Sequence, residues 1–120
     1  MKHIKKLITK NICLMITNPS RYVSNLTFGI REQELQETID KVTPRYKPSL
    51  VVVLSHNWID VDKKLASRVS GIDIIFGGHT HDAVPKPIII KNNGGKTLVA
   101  NSGCNGKFLS FIDIKFSVKS

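Results

Sequence analysis

Cysteine is scarce in this chain. Only Cys13 and Cys104 occur, and no Cys-x-x-Cys pair is present. That excludes a cysteine-based zinc motif and a thioredoxin-like redox site. Cys104 lies among Ser102, Gly103, Asn105 and Gly106 and reads as a small loop residue. No apolar run approaches the roughly 20 residues that a membrane span needs, so no membrane partner is expected. Acidic residues are also few: 9 against 18 lysines and arginines, for a net charge of +9. Such a balance suits anionic partners. Yet the lysines are scattered, with one cluster at Lys2-His3-Ile4-Lys5-Lys6. No aromatic residues interleave with basic ones as a base-stacking surface requires. A solvated basic surface is therefore expected, and no nucleic-acid partner. Internal repeats and low-complexity tracts are lacking as well.

What is present is an ordinary globular composition, 41% hydrophobic over 120 residues. That length is enough for one small domain or for part of a larger one. Residues 1–17 read as a leader of uncertain character. They have a basic start and a short apolar tract, but Lys10 and Asn11 interrupt it and no small-x-small cleavage site follows. Residues 18–120 are expected to form the globular part. Leu35, Ile39 and Val42 recur at helical spacing and predict an amphipathic helix over 30–42, stopped by Pro44 and Pro48. Leu50 to Leu54 is a continuous apolar run, as in a strand buried on both faces. Asp60 or Asp62 then opens a second helix, with Val61, Leu65 and Val69 on one face and Gly71 after its end. Ile72 to Phe76 is a second buried strand.

Strand, helix and strand make a βαβ unit, so these strands should run parallel through a right-handed crossover. Beyond them, Ile88–Lys91 and Thr97–Asn101 flank the turn Asn92-Asn93-Gly94-Gly95 and read as a β-hairpin. A last strand is expected where Phe108, Ile112, Ile114 and Phe116 share one face.

The chemistry-bearing residues are histidines. His79 and His81 lie in Gly77-Gly78-His79-Thr80-His81-Asp82, directly after the second strand. His56 ends the first strand, in Leu54-Ser55-His56-Asn57. Parallel strands leave the sheet on one side, so three of the four histidines should meet at one sheet edge. Imidazole is the commonest protein metal ligand, and α/β folds hold ligands at that edge. His56, His79 and His81 are therefore the candidate metal ligands. The alternative is that they cap loops through backbone hydrogen bonds. Asp82 is a candidate hydrogen-bond acceptor fixing an imidazole tautomer. Asp60 and Asp62 read as first-turn helix residues, which the helix dipole favours. His3, in the basic leader, is assigned no role.

The order and spacing of Ser55-His56-Asn57 and Gly77-Gly78-His79-Thr80-His81 resemble the C-terminal half of a calcineurin-like metallophosphoesterase domain, in the 5′-nucleotidase branch. Asn18-Pro19-Ser20-Arg21-Tyr22, Thr27-Phe28-Gly29-Ile30, Asp60-Val61-Asp62, Leu65-Ala66-Ser67-Arg68-Val69, Gly71-Ile72-Asp73 and Asn105-Gly106-Lys107-Phe108-Leu109 extend the likeness over about residues 18 to 116. They are similar to SoxB-type thiosulfohydrolases. The resemblance implies an α/β fold that is part of an αββα sandwich: the parallel βαβ unit, the hairpin and the further strand. It implies two divalent metal ions, manganese with zinc as the alternative. It gives His56 and His79 to one ion and His81 to the other. It implies hydrolysis of cysteine S-thiosulfonate on a SoxYZ-like carrier in the periplasm, with release of sulfate. A 5′-nucleotidase-like phosphoesterase and a non-catalytic metal-binding remnant are the alternatives.

The departures from the family pattern are specific. No Asp-x-His and no Gly-Asn-His precedes His56, so the bridging carboxylate and the acid/base are missing. Trp58 stands where the family usually has glycine. No residue is assigned a catalytic role, substrate-binding residues are left open, and little or no activity is expected of this chain alone.

Overall fold

The computed structural model describes residues 30–116. The leader, His3, Cys13 and the resemblance stretches between Asn18 and Gly29 lie outside them. Two helices and four strands form: α1 (Glu32–Tyr46), β1 (Val52–Leu54), α2 (Ile59–Arg68), β2 (Ile74–Gly77), β3 (Ile88–Asn92) and β4 (Gly95–Asn101). The sheet order is β1-β2-β4-β3. β1 and β4 each pair parallel with β2, and β3 pairs antiparallel with β4. The βαβ unit and the hairpin are therefore as expected. Asn92 pairs with Gly95 across the hairpin end, leaving Asn93 and Gly94 as the turn. Among the described residues no helix is long and apolar enough to cross a membrane.

Register explains the core. Val53, Ile75 and Val99 face one another across the three parallel strands, and Ile88 continues the row on β3. Successive side chains along a strand point to opposite faces, so this row lines a single face. There it meets Leu65, Ala66, Val69 and Ile72, with Leu35 and Ile39 from α1. α2 packs against β2, β3 and β4. Polar contacts fix the joints. Gln36 of α1 accepts from the Ser70 amide at 2.7 Å. Asn92 donates to the Ala66 carbonyl at 2.9 Å, tying the hairpin to the end of α2. Thr97 donates to the Ile72 carbonyl at 2.7 Å. Gly71 turns the chain at φ 81°, with Ile39 so close that an added Cβ would lie 3.0 Å from its Cγ2.

Four expectations are corrected. α1 runs to Tyr46 and contains Pro44. Pro44 falls in the last, exposed turn, where one lost hydrogen bond faces water. α2 begins at Ile59 with Trp58 as its N-cap, so Asp60 and Asp62 lie inside the first turn. β1 is not buried on both faces: it is an edge strand of three residues, and Leu54 is half exposed. Finally, no strand forms over 108–116, and Phe108, Leu109, Phe111 and Phe116 are exposed. An alternating pattern fixes which face a strand would present. It does not supply the neighbour whose ladder a strand requires.

Leu65→Ala is expected to cost about 2–5 kcal/mol in urea denaturation, because Leu65 is almost fully buried in the core. Leu109→Ala, at an exposed position, should change stability by no more than about 0.5 kcal/mol.

Candidate metal centre

Three parallel strands end at one edge, and polar residues gather there. Leu54 of β1 lies level with Phe76 of β2 and Ala100 of β4. The next residues out are Ser55, Gly77 and Asn101. His56 follows Ser55, and His79 follows Gly77-Gly78. Their rings meet: His79 Nδ1 lies 3.2 Å from His56 Nε2, with ring centroids 4.8 Å apart and planes at 69°. One ring donates and the other accepts, according to tautomer. Trp58 stands on the other side of His79, with ring centroids 5.6 Å apart. The bulky residue at the family's glycine position thus covers His79 while remaining half exposed.

The pair fits a divalent cation. Its facing nitrogens, 3.2 Å apart, are closer than twice a metal–nitrogen bond of about 2.0–2.1 Å, so both can reach one ion. His81 does not join them. Among the described residues, no three His, Cys, Asp or Glu side chains converge as metal ligands. The chain after His79 crosses toward the exit of β4. Thr80 accepts from the Asn101 amide at 3.3 Å. The Asp82 carbonyl accepts from the Gly103 amide at 2.9 Å. Val84 donates to the Asn101 carbonyl at 2.9 Å. His81, in the left-handed conformation at φ 58°, projects from this crossing and is exposed. Asp82 therefore acts through its backbone. No hydrogen bond joins its carboxylate to either ring among the described residues.

The carboxylate that matters locally is Asp62, which the sequence pattern reads as an ordinary first-turn residue. It is 1% exposed. Its Oδ1 accepts from Ser55 Oγ at 2.5 Å and from Asn57 Nδ2 at 3.3 Å. Its Oδ2 lies where a Cβ on Gly77 would come within 2.6 Å. Gly77 is thus required for this close approach. The signal available in the sequence was the i, i+7 spacing of Ser55 and Asp62 across a strand-to-helix turn. Periodicity alone gives it no meaning. Asn57 and Asn101 are each 2% exposed, and among the described residues their Oδ1 atoms have no hydrogen-bond partner. Buried polar atoms are rarely left so, and these two lie along the same edge as the histidines. Cys104 is a free, half-buried thiol in the following loop.

A mixed sheet thus presents two facing histidines at the C-terminal edge of its parallel strands. No family model matches the chain. Over 95 residues it is 34% identical to the trifunctional nucleotide phosphoesterase protein YfkN of Bacillus subtilis, covering 79% of this chain and 6% of that protein. It is 27% identical over 118 residues to bovine (Bos taurus) 5′-nucleotidase, covering 87% of this chain and 20% of the relative. Among solved structures it is similar to the sulfate thiohydrolase SoxB of Thermus thermophilus, determined with glycerol. That match has a TM-score of 0.62 and 38% identity, and covers 78% of this chain and 16% of the other. The chain belongs to the 5′-nucleotidase family of metallophosphoesterases and corresponds to a C-terminal part of their fold. It spans a fifth or less of each of these relatives.

Burial raises the Asp62 carboxyl above the ordinary range, against the opposing hydrogen bonds from Ser55 and Asn57. A carboxyl with a higher pKa folded than unfolded stabilises the fold most below the unfolded value of about 3.9. That contribution is lost as pH rises through the folded pKa. Asp62→Asn keeps an acceptor and cannot ionise. It should match wild type in urea melts below about pH 4 and become relatively more stable as pH rises. A wild-type advantage that grows with pH would show that the hydrogen bonds, not burial, dominate.

Proposed function

We propose that this chain supplies the histidine-bearing part of a divalent-metal hydrolase centre that acts on a sulfur-containing anion. The substrate class is a protein-bound cysteine S-thiosulfonate, carried by a SoxYZ-like partner in the periplasm. The observation that carries the choice is the 38% identity to SoxB over most of this chain, against 27% to the bovine nucleotidase. The net charge of +9 suits an anionic substrate. His56 and His79 would hold one ion, of manganese or zinc. By the resemblance, His81 would serve a second. A bound divalent ion supplies Lewis-acid chemistry to an anionic ester-like group. This chain's own part is to present two facing imidazoles at the sheet edge and to wall one side with Trp58.

A second reading, a nucleotide phosphoesterase, is favoured by the 34% identity to YfkN. Both readings predict weak metal binding and negligible turnover by this chain alone. The described residues bring two imidazoles together and no bridging carboxylate, since Asp62 is engaged by Ser55 and Asn57.

Calorimetry with Mn²⁺ and with Zn²⁺ should show binding that His56→Ala weakens by about tenfold or more. Trp58 is the chain's one tryptophan, so its emission should respond to the same titration in wild type and not in His79→Ala. Absence of binding would refute the metal reading. Sulfate release from a thiosulfonate-loaded carrier and phosphate release from a nucleotide monophosphate should both stay at background. Phosphate release alone, abolished by His79→Ala, would overturn the expectation of negligible turnover and favour nucleotide over thiosulfonate as substrate.

A further inference from the structure

His56 lies between two residues that both bond to one buried carboxylate. Ser55 Oγ and Asn57 Nδ2 donate to Oδ1 of Asp62, at 2.5 Å and 3.3 Å. The Asn57 amide also donates to Ser55 Oγ at 3.3 Å, closing a small ring of hydrogen bonds around the exit of β1. Ser55, Asn57 and Asp62 are all buried, while His56 between them is exposed. The other carboxylate oxygen lies against Gly77, the last residue of β2, two positions before His79. One side chain thus touches both strand exits that carry the facing imidazoles. It does so from the first turn of α2, an element clamped by the core.

We propose that Asp62 is a positioning residue that ties the exit of β1, through Ser55 and Asn57, to the exit of β2 at Gly77, and so sets the spacing of the His56 and His79 rings. β1 is an edge strand of three residues, and its last backbone hydrogen bond to β2 runs from the Ser55 amide to the Phe76 carbonyl at 2.8 Å. Beyond that point, at His56 and Asn57, the side-chain hydrogen bonds to Asp62 hold the turn that carries His56. On the β2 side, the absent side chain of Gly77 lets the carboxylate approach. An alanine there would require the Asp62 carboxylate or the Gly77 backbone to shift. The role asks for a hydrogen-bond acceptor of this size at this place, and ionisation is not required.

The proposal rests on the metal reading for its consequence, but its geometry can be tested without metal. The experiment uses the full chain as wild type, Asp62→Ala, Asp62→Asn and Ser55→Ala, each checked for folding by circular dichroism and urea melts. Metal-free samples are examined by NMR for the proton contact between the His56 and His79 rings. Zn²⁺ affinity is then measured by calorimetry. Folded Asp62→Ala should lose the inter-ring contact and weaken Zn²⁺ binding about 10- to 100-fold, whereas Asp62→Asn should keep the contact and stay within about threefold of wild type. Rescue by asparagine separates positioning from a general loss of stability. If Asp62→Ala does not fold, Ser55→Ala, which leaves the carboxylate in place, should lose the contact.

An unchanged contact in folded Asp62→Ala overturns the proposal. So does a folded Asp62→Asn that behaves like Asp62→Ala. If Asp62→Ala is unfolded, an unchanged contact in Ser55→Ala overturns it too. Should wild type bind no Zn²⁺, the metal reading fails, and the inter-ring contact alone then decides the role of Asp62.

Discussion

Parallel pairing on both sides of β2 governs the rest of the molecule. β1 and β4 run in the same direction as β2, so three chain exits leave the sheet along one edge. The pairing is held by a single apolar row, Val53, Ile75 and Val99, pressed against α2 and α1. Ile75 and Val99 are fully buried. Because the row is continuous, the strands cannot slip by one residue without turning it toward the open face. The register of the core is therefore also the register of the polar edge. It sets Ser55, Gly77 and Asn101 level with one another.

That edge is built in two levels. The lower level is buried and polar: Asp62, Ser55, Asn57 and Asn101. The upper level is partly open to solvent and carries His56, Trp58, His79 and His81. A buried carboxylate is costly unless hydrogen bonds repay it, and Asp62 has two donors on one oxygen. The amide oxygens of Asn57 and Asn101 have no hydrogen-bond partner among the described residues. On the sheet face opposite the apolar row, Leu54 and Ile89 on the outer strands are exposed while Ile74 and Ala100 at its centre are buried, and Phe108, Leu109, Phe111 and Phe116 are exposed. These features agree with a chain that spans a fifth or less of its relatives.

Much of the fold was legible in the residues. Leu35 and Ile39 at helical spacing gave α1, and both are buried. The β-branched runs gave β1 and β2, and Asn93-Gly94 gave the hairpin turn. The placing of His56 and His79 at one sheet edge follows from the βαβ rule. Other features were not legible. Hydrophobic pattern treats Asp62 as a solvated helix residue, since its partners Ser55 and Asn57 lie across a turn. Alternation at Phe108 to Phe116 suggested a strand whose neighbour is not among the described residues. His79-x-His81 suggested converging rings, but the backbone after Thr80 is drawn to β4 by Asp82 and Val84.

By itself the sequence determined the periodicities, the parallel βαβ unit, the hairpin and the residue types available for metal chemistry. Those are local properties, set by side-chain spacing and turn residues. The tertiary structure decided that β4 inserts beside β2, which carries Asn101 to the histidine edge. It also decided that Asp62 is buried beneath His56 and that His81 is turned away. Each of those outcomes depends on pairing between segments far apart in the chain. Their energies come from packing and desolvation, which no single stretch of residues contains.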